Sequence, residues 1–162
     1  MIIASSDFRD EEFKVPKDLF EKNGYSIIVA SSSLTEATGM LGMKVRPDMT
    51  LDKVKVAEFD AVVFVGGSGS TEYFTNKLAH KLATDAFEQG KILAAICLAP
   101  IILANAGLLK GKKATCNDPE NIIKKGANYT GKSVEQDGKI ITGIGPEASK
   151  EFAEAVLRSL NK

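Results

Sequence analysis

The chain has 162 residues, with Lys+Arg 21 offsetting Asp+Glu 21, and is 44% hydrophobic and 26% charged. These values fit one folded domain with its own core, and they argue against a disordered chain, a basic nucleic-acid binder and a disulfide scaffold. Cys 2 and His 1 also exclude any catalytic site or metal cage that needs two imidazoles.

No apolar run reaches the roughly 18 residues that span a bilayer. The start, Met1-Ile2-Ile3-Ala4, has no basic segment followed by a long apolar one, so no signal peptide is read. The expectation is a cytoplasmic protein, without membrane or nucleic-acid partners, whose cysteines are thiols.

In chain order, short apolar runs alternate with helical stripes, the pattern of a parallel α/β sheet. Ile2 to Ser5 predicts a first strand. It is short, and the visible start of the chain is compatible with a point inside it. Glu11 to Asn23 predicts a helix stopped by Gly24, with Pro16 expected to kink it or set an early boundary. Tyr25 to Ala30 predicts the second strand. The polar stretch from Ser31 to Glu58, with Gly39, Gly42 and Pro47, reads as a small hairpin or irregular excursion.

Ala61 to Val65 is a β-branched run suited to a strand buried on both faces. Thr75 to Glu88 carries Leu78, Ala79, Leu82, Ala83, Ala86 and Phe87 at helical spacing. Ile92 to Ile96 is another buried strand, and Pro100 to Ala106 an all-apolar helix closed by Gly107. Lys112 to Thr115 predicts a short strand and Pro119 to Lys125 a helix. Ser133 to Glu135 and Lys139 to Thr142 predict a pair turning at Asp137-Gly138. Pro146 to Leu160 closes the chain as an amphipathic helix. No linker or repeat divides it, so residues 1–162 are read as a single domain.

The chemistry is concentrated at Ala95-Ile96-Cys97-Leu98-Ala99-Pro100. A buried strand runs into Cys97 and a helix begins almost at once. The flanking alanines suit the crowded turn of a nucleophile elbow. Such a turn lifts the nucleophile to the C-terminal edge of the sheet, where α/β ligand sites lie. The helix N-terminus is expected to lower the thiol pKa. The bland alternative is a small core residue.

Gly66-Gly67-Ser68-Gly69 follows the other central strand. The Gly67 and Leu98 N–H groups are candidates for an oxyanion hole. The rivals are a plain turn or a dinucleotide loop. The loop reading has Glu72 where its third glycine belongs.

Gly66-Gly67 after a buried strand, then Ala-Ala-Ile-Cys-x-Ala-Pro, resembles the PfpI family of intracellular proteases and the related parkinsonism-associated protein deglycases. The resemblance spans essentially the whole chain, through Glu12, Asp137-Gly138 and Gly145-Pro146. It implies the class I glutamine-amidotransferase-like fold: a flavodoxin-like, three-layer α/β sandwich with a mostly parallel central sheet.

It implies Cys97 as the reactive cysteine and Glu12 as the acid that hydrogen-bonds it. Gly67 and Leu98 would be backbone donors near the sulfur, and Glu72 an acid offered at a subunit boundary. Cys116 falls where the family places a residue close to the active cysteine, so it is a candidate redox partner for Cys97; quiet packing is the alternative. The resemblance also implies a homodimer or larger homo-oligomer.

The chain departs from the family in histidine. Leu98 stands where the protease branch has His, and Thr115-Cys116-Asn117-Asp118 covers the stretch where the deglycase branch has one. His80, at the edge of a helical stripe, reads as a boundary or surface residue. A Cys-His dyad is not supported.

The expected function is a cysteine nucleophile acting on small reactive carbonyl compounds or on acyl or peptide bonds, in hydrolase, glyoxalase-like or deglycase-like chemistry. A redox or stress-responsive sensor, or a chaperone-like scaffold, is the alternative. No cofactor or metal is expected.

Overall fold

A computed structural model of the chain describes all residues 1–162. In chain order it contains β1 (Ser6–Phe8), α1 (Asp10–Lys22), β2 (Ala30–Ser31), β3 (Ala37–Gly39), β4 (Lys44–Val45), β5 (Met49–Thr50) and β6 (Ala61–Phe64). There follow α2 (Lys77–Glu88), β7 (Ile92–Ile96), α3 (Pro100–Asn105), β8 (Lys113–Ala114), α4 (Pro119–Lys124), β9 (Asn128–Tyr129), β10 (Val134–Asp137), β11 (Ile140–Gly143) and α5 (Ser149–Leu160). None of the helices is long and apolar enough to cross a membrane.

The central sheet is built on β6 and β7, whose β-branched and small residues tolerate burial on both faces. β6 pairs with β7 in parallel from Ala61↔Ile92 to Phe64↔Ala95, and β7 pairs with β11 in parallel from Leu93↔Ile140 to Ile96↔Gly143. β10 closes that side as an antiparallel hairpin with β11. On the other side Ile2 bridges Phe64 and Ala30 in parallel, and β2 pairs with β5.

Period-two alternation along these strands separates the two faces. Phe64, Leu93, Ala95 and Ile140 pack with Leu82 of α2 and Ile101 and Ile102 of α3. Val63, Ala94, Ile96 and Ile141 pack with Phe20 of α1 and with Phe152 and Val156 of α5. This is the three-layer α/β sandwich that the family resemblance implies.

Three expectations are adjusted. The first strand holds its sheet position only through Ile2, and the chain then runs on into β1, which pairs with β3 of the β3–β4 hairpin. Regular pairing of the second strand begins only at Ala30, because the Val29 N–H is taken at 2.7 Å by the Asp48 side chain. Pro16 sets no boundary: α1 runs through it from Asp10 to Lys22, with Phe13, Pro16 and Phe20 all buried. Only the Glu12 carbonyl loses a helical donor there, because proline has no N–H.

A cavity of about 440 Å³, lined by Phe20, Tyr25, Ile27, Phe59, Val63 and Val156 among others, opens beside Asp60 and Ala61 at the start of β6. The strands are parallel, so it lies at the sheet edge opposite the end of β7 and is remote from Cys97.

Candidate active site

Cys97 is the first residue past β7, and α3 begins at Pro100. Its φ is +65°. A non-glycine residue in this region costs of order 1–3 kcal/mol and persists only where its surroundings enforce it. The enforcement is visible on both sides. The Cys97 N–H donates to the Gly143 carbonyl at 2.9 Å, and the Cys97 carbonyl accepts from the Asn117 N–H at 2.8 Å. Cys97 is buried, with 8% of its surface exposed.

Glu12 lies on the first turn of α1 and is fully buried. Neither carboxylate oxygen has a hydrogen-bond partner of good geometry. The Cys97 thiol and the Gly66 backbone are nonetheless near enough to act on its ionisation. The closeness can be gauged at Gly66, where a side-chain Cβ would lie 2.7 Å from the Cys97 Cβ and would also collide with Glu12 Oε2. Glycine is required there because strand, elbow and acid converge on one point.

Gly67 has φ +100°, and a Cβ on it would come within 2.5 Å of the Asp7 carbonyl and clash with the Arg9 N–H. Arg9 N–H in turn donates to the Gly66 carbonyl at 2.9 Å. The loop before α1 is thereby fastened onto the glycines, which sets Glu12 beside Cys97.

The electrostatics correct one expectation. The thiol is not lowered by the helix that follows. Burial pushes it up to about 12, with the nearby Glu12 carboxylate adding to the rise and the Gly67 and Leu98 N–H groups opposing it. Burial likewise raises Glu12 from 4.5 to about 7, against the Cys97 thiol, the Gly66 backbone and the Arg9 charge. Two buried acids this close disfavour losing both protons. The pair therefore passes through a singly charged state in which one proton serves two groups.

The remaining residues singled out in the sequence fall as follows. Leu98 is half-buried and packs on the apolar clusters of both sheet faces. Glu72 accepts from the Ser5 hydroxyl at 2.8 Å and the Ser5 N–H at 3.2 Å within the same chain. Cys116 is 1% exposed, a free thiol, and its Sγ–H donates to the Cys97 carbonyl at 3.1 Å. His80 is half-buried, with Nε2 placed to donate to the Phe74 carbonyl at 2.8 Å. It is a boundary residue engaged by its own helix entry.

Arg9, Asn117 and Gly143 join the site without having been assigned to it from sequence. The charged run Arg9-Asp10-Glu11-Glu12 at a helix start was the signal for Arg9, whose side chain pairs with Glu11 at 2.8 Å. Asn117 and Gly143 act through backbone atoms, which leave little trace in side-chain identity.

The DJ-1/PfpI family profile matches residues 1–159. The chain belongs to the DJ-1/PfpI family. A protein of Methanocaldococcus jannaschii is 40% identical over 167 residues, covering 100% of this chain and 82% of its own length. A deglycase of Pyrococcus horikoshii is 32% identical over 148 residues, covering 90% of this chain and 89% of its own. Among solved structures, a ThiJ/PfpI domain protein of Brachyspira murdochii superposes with a TM-score of 0.97 at 36% identity, covering 99% of this chain and 94% of that one. DJ-1/PfpI membership agrees with the flavodoxin-like sheet order and with a strand–cysteine–helix turn at its C-terminal edge.

Proposed function

We propose that this DJ-1/PfpI protein is a cysteine-dependent enzyme acting on small reactive carbonyl compounds, in glyoxalase-like or deglycase-like chemistry. The observation that carries the reading is the fully buried, unpartnered Glu12 carboxyl set against Cys97, itself held at positive φ. A buried carboxyl without a partner is costly, and proton exchange with the thiol gives it a use. The deglycase name on a relative supports the substrate class.

In the proposed first step, Glu12 takes the thiol proton and Cys97 thiolate attacks an aldehyde carbon. A sulfur–carbon bond forms and the carbonyl π pair moves to oxygen. Protonated Glu12 returns its proton to that oxygen, so the product is a neutral hemithioacetal and the acid is regenerated as carboxylate. The Gly67 and Leu98 N–H groups hold negative charge, first on sulfur and then on the oxygen one atom further out. Leu98 supplies no imidazole, so a proteolytic Cys-His pair is not part of the reading.

Methylglyoxal turnover by the unmodified chain and by Cys97→Ala tests the proposal. Loss of activity in the variant is expected. Equal rates would sink it.

A second reading takes Cys97 as an oxidisable thiol rather than a nucleophile towards carbonyl carbon. A hydroperoxide would oxidise Cys97 to the sulfenic acid and itself be reduced to the alcohol or water. Peptide mass mapping after mild peroxide treatment decides this one: a Cys97 that stays a free thiol while exposed control thiols oxidise rules it out.

A further inference from the structure

Cys116 has no part in the chemistry just described, yet it is buried and its thiol is committed to the Cys97 carbonyl oxygen at 3.1 Å. The N–H of the next residue, Asn117, donates to the same oxygen at 2.8 Å. Two donors on one carbonyl hold it in direction as well as distance. The residue they hold is the one at φ +65°.

The peptide unit joining Cys97 to Leu98 is a rigid plane, with its C=O and N–H pointing in opposite directions. Fixing where the Cys97 carbonyl points therefore fixes where the Leu98 N–H points. That N–H lies near enough to the Cys97 sulfur to oppose the rise of its thiol. The thiol at Cys116 thus reaches the nucleophile through one rigid group.

We propose that Cys116 is a positioning residue: with the Asn117 N–H it clamps the Cys97–Leu98 peptide and aims the Leu98 N–H at the Cys97 sulfur. The inference rests on the reading of Cys97 as the nucleophile. The Cys116 Sγ–H donates to a backbone oxygen, which suits a clamp and requires no redox change.

The test uses Cys116→Ala and Cys116→Ser. In both, Cys97 is the sole remaining thiol, so alkylation reports on it alone. The rate of iodoacetamide labelling is followed from about pH 5 to pH 10. Thermal unfolding is followed in parallel, and Cys97 labelling in the unmodified chain is read by peptide mass.

Loss of one hydrogen bond of ordinary net worth predicts about a fivefold slower labelling of Cys116→Ala at neutral pH, with the profile displaced upward by roughly half a unit or more. Cys116→Ser keeps a donor and is expected within about twofold of the unmodified chain. If Cys116→Ala does not fold, Cys116→Val, which fills the space without a donor, takes its place.

A profile of Cys116→Ala that superposes on the unmodified chain overturns the proposal. So does a serine variant as impaired as the alanine one, because packing would then be the cause. In either case a reactive Cys97 leaves the reading of the nucleophile intact. A Cys97 that does not react at any pH in the unmodified chain overturns both.

Discussion

Replacing Glu12 by Gln keeps the size and shape of a fully buried side chain and removes only its titration. Burial lifts the Glu12 carboxyl from 4.5 to about 7. Its folded pKa therefore lies above its unfolded value, and the folded state binds a proton that the unfolded state has released. The stability associated with this proton is fully present below pH 4.5 and is lost as pH rises through about 7.

A rise of that size corresponds to about 3 kcal/mol, and with no exposed surface there is little solvent screening to reduce it. Urea unfolding of both proteins across this pH range gives the difference directly, since every other titrating group is common to the two. Relative to Glu12→Gln, the unmodified chain is expected to lose about 3 kcal/mol between the acidic and neutral ends. Parallel stability curves would mean that Glu12 ionises like a surface carboxylate, and the shared-proton description of the site would fall.

Two further outcomes follow from the same geometry. Gly67→Ala places a Cβ within 2.5 Å of the Asp7 carbonyl at a φ of +100°; a loss of about 3 kcal/mol, or roughly 6–12 °C in melting temperature, is expected, and an unchanged melting curve would contradict the close packing of this loop. His80→Ala removes the bond to the Phe74 carbonyl; it is expected to cost about 1 kcal/mol of stability and to leave methylglyoxal turnover within about twofold, so a large fall in rate would return the imidazole to the chemistry.

Much of this was legible in the sequence because hydrophobic pattern and turn chemistry act locally. The Ala61–Phe64 and Ile92–Ile96 strands, the Asp137-Gly138 hairpin and the strand–cysteine–helix turn were each readable from a few consecutive residues. Short parallel pairings were harder. Asn128–Tyr129 is a strand only because Lys113–Ala114 lies beside it, and nothing in its composition signals that. The direction of the Cys97 pKa shift was also out of reach. It depends on how completely Cys97 and Glu12 are buried together, which outweighs the helix terminus three residues on. The Cys116 contact belongs to the same class, since residues nineteen apart meet only through the path of the chain between β7 and β8.

Substrate protection tests the central claim most directly. The rate at which iodoacetamide labels Cys97 is measured with increasing methylglyoxal, with Cys116 mapped in the same digests. If Cys97 is where the carbonyl compound lands, labelling slows saturably as methylglyoxal is raised, while Cys116, at 1% exposure, stays unlabelled throughout. A Cys97 labelling rate indifferent to methylglyoxal would contradict the account.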